Sequence, residues 1–108
     1  MPFYRVRETL YKQKREGVQI KSLSGEDVQL TLIRLEPGFV SEHKHPEEQI
    51  GYVMSGNVEI AIGGEKMACG VGDGYLIPGD TIHAFRVLSN QPVELVEAFS
   101  PPKEENKV

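Results

Sequence analysis

Histidine occurs three times in the 108-residue chain, at His43, His45 and His83. Alternate residues of an extended segment point to one side, so His43 and His45 share a face that Lys44 leaves. Gln49 follows across a turn carrying Pro46 and offers a side-chain carbonyl oxygen, and His83 comes just after the turn Pro78-Gly79-Asp80. Two neutral imidazoles on one strand, a third on a distant strand and an oxygen donor suit one divalent ion of Zn, Ni, Mn or Fe. A His-x-His pair taken alone fits a surface pair or a satisfied core pair as well, so its surroundings must decide.

A second pattern lies near the end of the chain. In Val93-Glu94-Leu95-Val96-Glu97-Ala98-Phe99-Ser100, the set Val93, Leu95, Glu97 and Phe99 shares a face that holds one acid among apolar residues. If that face is the inner one, burial raises the Glu97 pKa and a nearby cation lowers it. Either way Glu97 is a candidate acid or base. If the alternate set faces inward, Glu97 is solvated; we take Glu97 as inward.

The elements that must position these residues are strands. β-type runs cover 18–23, 28–35, 39–45, 49–54, 58–62, 65–69, 74–77, 83–88 and 93–99, and no run has the length of a helix. Eleven glycines and seven prolines fall largely between these runs, as short strands joined by tight turns require. Gly63-Gly64 reads as a two-residue hairpin turn. Many short strands at regular spacing imply an all-β sandwich or barrel, and closing the sheet removes exposed edges. Residues 3–13 leave a helix open, with a poor apolar stripe. The expected organisation is an N-terminal segment over 1–17, a barrel over 18–100, and a polar tail over 101–108 that starts with two prolines and leaves the sheet.

The composition is 39% hydrophobic and 26% charged, ordinary for a globular domain and against disorder. A net charge of −4 with no long basic cluster gives no footprint for nucleic acid; the bases between Arg5 and Arg15, interrupted by Glu8, read as a solvated segment. No apolar stretch spans a membrane and residues 1–10 lack the apolar core of a secretory signal, so a cytoplasmic protein is expected. The single Cys69 forms no intrachain disulfide and reads as a small strand residue rather than a nucleophile.

The spacing around the histidines resembles the two motifs of the cupin superfamily. Gly38, His43, His45, Gln49 and Gly56 match the first; Gly72, Pro78 and His83 match the second, with the short hairpin between Gly56 and Gly72. The resemblance implies a double-stranded β-helix, the jelly-roll barrel of RmlC-like cupins, with its metal in the mouth. Within cupins, the stretch from His43 to Gly56 together with Phe99-Ser100-Pro101 is similar to the pectin-degradation group called KdgF. Those proteins linearise and ketonise unsaturated monouronates on a His/His/Gln/His metal site.

That resemblance implies metal ligation by His43, His45, Gln49 and His83, with Glu97 and Lys103 as catalytic residues. Glu97 stands for the group's usual aspartate, and Lys103 for an arginine that would hold a substrate carboxylate. Tyr52, Phe85 and Phe99 are expected to line the substrate pocket, although aromatic residues in strands more often build core. Most cupins carry glutamate where this chain has Gln49, glycine is common where Asp80 stands, and asparagine often ends the second motif where Val87 stands. A neutral amide leaves the centre one unit more positive than a carboxylate would, which favours a bound anion. Two other readings stay open: a metal-dependent dioxygenase, because three histidines leave positions free on Fe(II), and a non-catalytic binding or sensor domain. A small-molecule ligand and a homodimer are the expected partners.

Overall fold

The computed structural model describes residues 2–107. These form ten strands: β1 (Lys12–Arg15), β2 (Val18–Ser24), β3 (Gln29–Leu35), β4 (Val40–His43), β5 (Glu48–Ser55), β6 (Val58–Ile62), β7 (Glu65–Cys69), β8 (Gly74–Ile77), β9 (His83–Val87) and β10 (Val93–Ser100). They make a six-stranded sheet ordered β1-β2-β3-β10-β5-β8 and a four-stranded sheet ordered β4-β9-β6-β7. Every pairing is antiparallel. Two antiparallel sheets with crossed strand order are the jelly-roll arrangement.

Period-two alternation puts the apolar residues between the sheets. Leu95 and Val93 of β10, Val53 of β5, Ile77 of β8, Val58 and Ile60 of β6 and Phe85 and Val87 of β9 form one buried cluster with Val18, Ile20 and Leu35. A fully buried side chain of this size contributes about 1.5–3 kcal/mol, so this cluster holds the sheets in place. It fills one part of the interior. The other part holds the polar residues described below.

Nine of the strands overlap the runs expected from the sequence, but the run 39–45, expected to carry both His43 and His45 on one strand, ends as a strand at His43, and two further regions differ. Lys12–Arg15 is a strand paired to β2, with Lys12 opposite Ile20, and helix in the first residues is confined to a 3-10 turn at Val6–Glu8. The polar sequence of β1 carries no alternation, because an edge strand buries little of either face. The tail also departs from expectation. Glu104–Asn106 makes a 3-10 turn, and Lys103 and Asn106 are buried.

Polar contacts hold that tail against the sheet. The Gln29 amide donates to the Lys103 carbonyl at 3.0 Å and its Oε1 accepts from the Lys103 N–H at 3.3 Å. Ser22 donates to the Asn106 carbonyl, and Lys14 donates to Asn106 Oδ1 at 2.6 Å. A docking made of hydrogen bonds rather than apolar area leaves no hydrophobic signal in the sequence.

Candidate metal centre

His43 closes β4 directly opposite His83, the first residue of β9. His45 lies in the turn after β4, and that turn is locked to the turn before β9: the Asp80 N–H donates to the His45 carbonyl at 2.8 Å. A Cβ at Gly79 would stand 2.4 Å from the Pro46 carbonyl oxygen, so only glycine lets the two turns approach this closely. Asp80 itself has φ of 59°, a left-handed conformation that aspartate tolerates better than most residues.

The three imidazoles converge. Each offers one ring nitrogen, and these atoms lie within 4.8 Å of one another. Nδ1 of His83 donates to the Thr81 carbonyl at 2.8 Å and Nδ1 of His45 to the Glu47 carbonyl at 3.0 Å. Both bonds fix the tautomer that leaves Nε2 as a lone-pair donor. The Glu47 carboxylate stands 3.4 Å from His45 Nδ1, a second oxygen orienting that ring. Burial holds the His43 pKa down to about 4, helped by the neighbouring charges of His83 and Lys103. Burial also lowers His83, against the raising effect of its Thr81 bond. Neutral imidazoles are the ligating form.

Gln49 stands beside the three histidines. It is buried on the inner face of β5, with Oε1 3.1 Å from His45 Nε2 and Nε2 donating to Glu97 Oε2 at 2.5 Å. A carboxylate accepts, so the amide nitrogen belongs on the Glu97 side and the carbonyl oxygen on the histidine side. The residues fit a divalent cation: Nε2 of His83 is buried with no hydrogen-bond partner, a cost that ligation removes, and three neutral imidazoles with an amide oxygen suit a transition metal.

Glu97 is buried in the middle of β10, with Gly51 of β5 opposite it and Tyr75 of β8 opposite Gly51. The missing side chain at Gly51 lets Tyr75 reach across the strand: a Cβ there would stand 2.2 Å from the tyrosine ring and 2.3 Å from its hydroxyl. That hydroxyl donates to Glu97 Oε2 at 2.5 Å. Burial pushes the Glu97 pKa up, while the bonds from Tyr75 and Gln49 and the Lys103 and Lys14 charges pull it down. Burial beside Glu97 raises the Tyr75 phenol well above its ordinary value. Both donors occupy Oε2, which leaves Oε1 for the interior.

One cavity joins these groups. His43, Gln49, Glu97, Phe85, Phe99 and Lys103 line it, so the expected pocket residues Phe85 and Phe99 share it with the expected acid-base residue Glu97 and the expected carboxylate holder Lys103. Tyr52 does not belong there. Alternation along β5 puts Gln49, Gly51 and Val53 inside and turns Tyr52 outward, 48% exposed; Tyr75 is the interior tyrosine. Sequence reasoning missed Tyr75, Glu47 and the cavity residues Lys14 and Arg15. An isolated glycine within a strand marks a close approach, and Gly51 was the available signal for the first.

Residues 31–99 match the family model described as Cupin domain. The chain belongs to the cupin family. This cupin is 29% identical over 99 residues to the pectin degradation protein KdgF of Dickeya dadantii, covering 89% of each chain. Its fold superposes on the structure of KdgF from a Halomonas species with a TM-score of 0.87 at 27% identity, over 97% of both chains. An RmlC-like cupin from Shewanella frigidimarina shares the fold at a TM-score of 0.88 and 20% identity, over 97% of this chain and 95% of the other.

Proposed function

We propose that this cupin binds one divalent metal ion on His43, His45, Gln49 and His83 and converts a small carboxylated sugar, in the manner of uronate ring opening and ketonisation, by metal-assisted acid-base chemistry. The observation that carries the reading is the Glu97 carboxylate, whose Oε2 is held by Gln49 and Tyr75 at 2.5 Å each and which lines a cavity shared with His43 and Lys103. Similarity to KdgF over most of the chain supports the substrate class.

When bound, the metal supplies Lewis-acid polarisation of substrate oxygens. The chain's own residues supply the proton handling. Opening a cyclic hemiacetal breaks the ring C–O bond, frees the hydroxyl proton to give an aldehyde and adds one proton to the departing ring oxygen to give an enol; conversion to the ketone adds one proton at carbon and releases the enol proton. The protons balance, so one carboxylate that accepts and returns them suffices. Oε1 of Glu97 takes this role in our reading, with Oε2 already committed to Gln49 and Tyr75. Lys103, 11% exposed with its ammonium 5.8 Å from the Phe99 ring centroid, supplies positive charge for a carboxylate at the cavity mouth. Phe85 and Phe99 exclude water from the interior.

The test is the ultraviolet absorbance of unsaturated galacturonate, which should fall faster with the protein than without it. An unchanged rate would remove that substrate.

Homodimerisation stands as part of the proposal. The outer face of β5 and its neighbours carries exposed Ile50, Tyr52, Met54 and Leu76, an apolar area that a second copy would cover. Light scattering that gives a monomer at micromolar concentration would contradict it.

A further inference from the structure

The cavity mouth already holds a carboxylate, and it is the chain's own. Glu105, on the tail turn, places one oxygen, Oε1, 2.8 Å from Lys103 Nζ, 2.9 Å from Lys14 Nζ and 3.5 Å from Arg15 Nη2. The same surface depression is lined by His43 and His45. Three cations from two distant parts of the chain thus meet one anion beside the imidazole cluster.

The partners are unequal in exposure. The side chains of Lys14 and Lys103 are 12% and 11% exposed, whereas that of Glu105 is 51% exposed. Two largely desolvated ammonium groups need a counter-charge, but a half-solvated carboxylate is a weak and exchangeable one. The turn does not rest on it alone, since Asn106 is separately anchored by Lys14 and Ser22.

We propose that Lys14, Arg15 and Lys103 form an anion seat for the carboxylate of an incoming ligand, and that Glu105 is a resident self-ligand which that carboxylate must displace. Glu105 therefore sets both affinity and selectivity: a ligand with a carboxylate replaces the lost contact, and a neutral one leaves the cations occupied by the tail. The seat deepens the reading of the site as one for carboxylated ligands and rests on it.

Acetate tests the seat without any demand for turnover, read from the side-chain amine resonances of Lys14 and Lys103 by nuclear magnetic resonance of the full chain. Glu105→Gln should lower the acetate midpoint at these two lysines about fivefold, the ratio equivalent to ~1 kcal/mol for an exposed ion pair. Glu104→Gln makes the same charge change on the same turn, but Glu104 pairs with Lys107 at 3.0 Å, so its midpoint should stay at the wild-type value. Lys14→Met added to Glu105→Gln should abolish the gain. An unchanged midpoint in Glu105→Gln, or an equal fall in Glu104→Gln, overturns the proposal. Unsaturated galacturonate that is not consumed would end the uronate reading and leave this comparison standing, because acetate needs only the three cations.

Discussion

The Gln49 amide faces two ways: its nitrogen donates to Glu97 Oε2 at 2.5 Å and its oxygen lies 3.1 Å from His45 Nε2. A glutamate at this position, as in most cupins, would set two carboxylates against each other with no N–H between them. Glutamine thus lets an oxygen donor and a buried acid stand side by side. Gln49→Glu is expected to hold metal more tightly through its charge, yet to lower turnover by at least about tenfold, since like charges this close cannot both ionise. A metal competition titration alongside the absorbance assay would show both changes.

Gly51 and Tyr75 make a paired prediction. Gly51→Ala places a methyl group within 2.3 Å of the tyrosine hydroxyl, and the buried ring, edge-on to Phe85 of β9, cannot shift freely. Stability should fall by about 1–3 kcal/mol, as overpacking does. Tyr75→Phe removes only the bond to Glu97 and should cost about 1 kcal/mol, read in each case from urea unfolding midpoints.

Glu105 gives a pH dependence. Its bonds to Lys103 and Lys14 hold its pKa down to about 2, below the ordinary 4.5. A depressed carboxylate stabilises the folded form above its unfolded pKa, and that contribution is lost as pH falls from 4.5 towards 2. Amide exchange at Lys103 and Asn106 should therefore quicken across this window. In Glu105→Gln the tail should already exchange faster at neutral pH, and the acid-dependent part of the change should vanish.

Metal removal should lower thermal stability. The unpartnered Nε2 of His83 and the neutral imidazoles around it are stabilised when ligated, and an ion at 100 times its dissociation constant adds about 2.7 kcal/mol. Calorimetry before and after chelation should show the midpoint fall and recover on adding Zn²⁺. His83→Ala should show no recovery.

Much of the architecture was legible because its signals are local. The period-two alternation in β10 put Glu97 inside with Leu95 and Phe99, and the His43-x-His45 spacing with the turn before His83 brought the three imidazoles together. Tyr52 went wrong for a related reason: its composition suggested a pocket, but counting from Gln49 along β5 turns it outward. Tyr75 was missed as a site residue because the signal for it, Gly51, lies in another strand and does not say which side chain makes the close approach. Lys14, Arg15 and Glu105 come from two segments without hydrophobic pattern, and only the tail's hydrogen bonds to Gln29, Ser22 and Lys14 bring them to the cavity.

The central claim is a divalent ion held by three histidines and a neutral amide oxygen. Metal analysis by mass spectrometry of protein purified without a histidine tag tests it most directly. The account predicts close to one transition-metal ion per wild-type chain and almost none in His83→Ala. Wild-type protein that is folded, that takes up no added Zn²⁺, Ni²⁺, Mn²⁺ or Fe²⁺ on dialysis and that carries no metal in stoichiometric amount would contradict it.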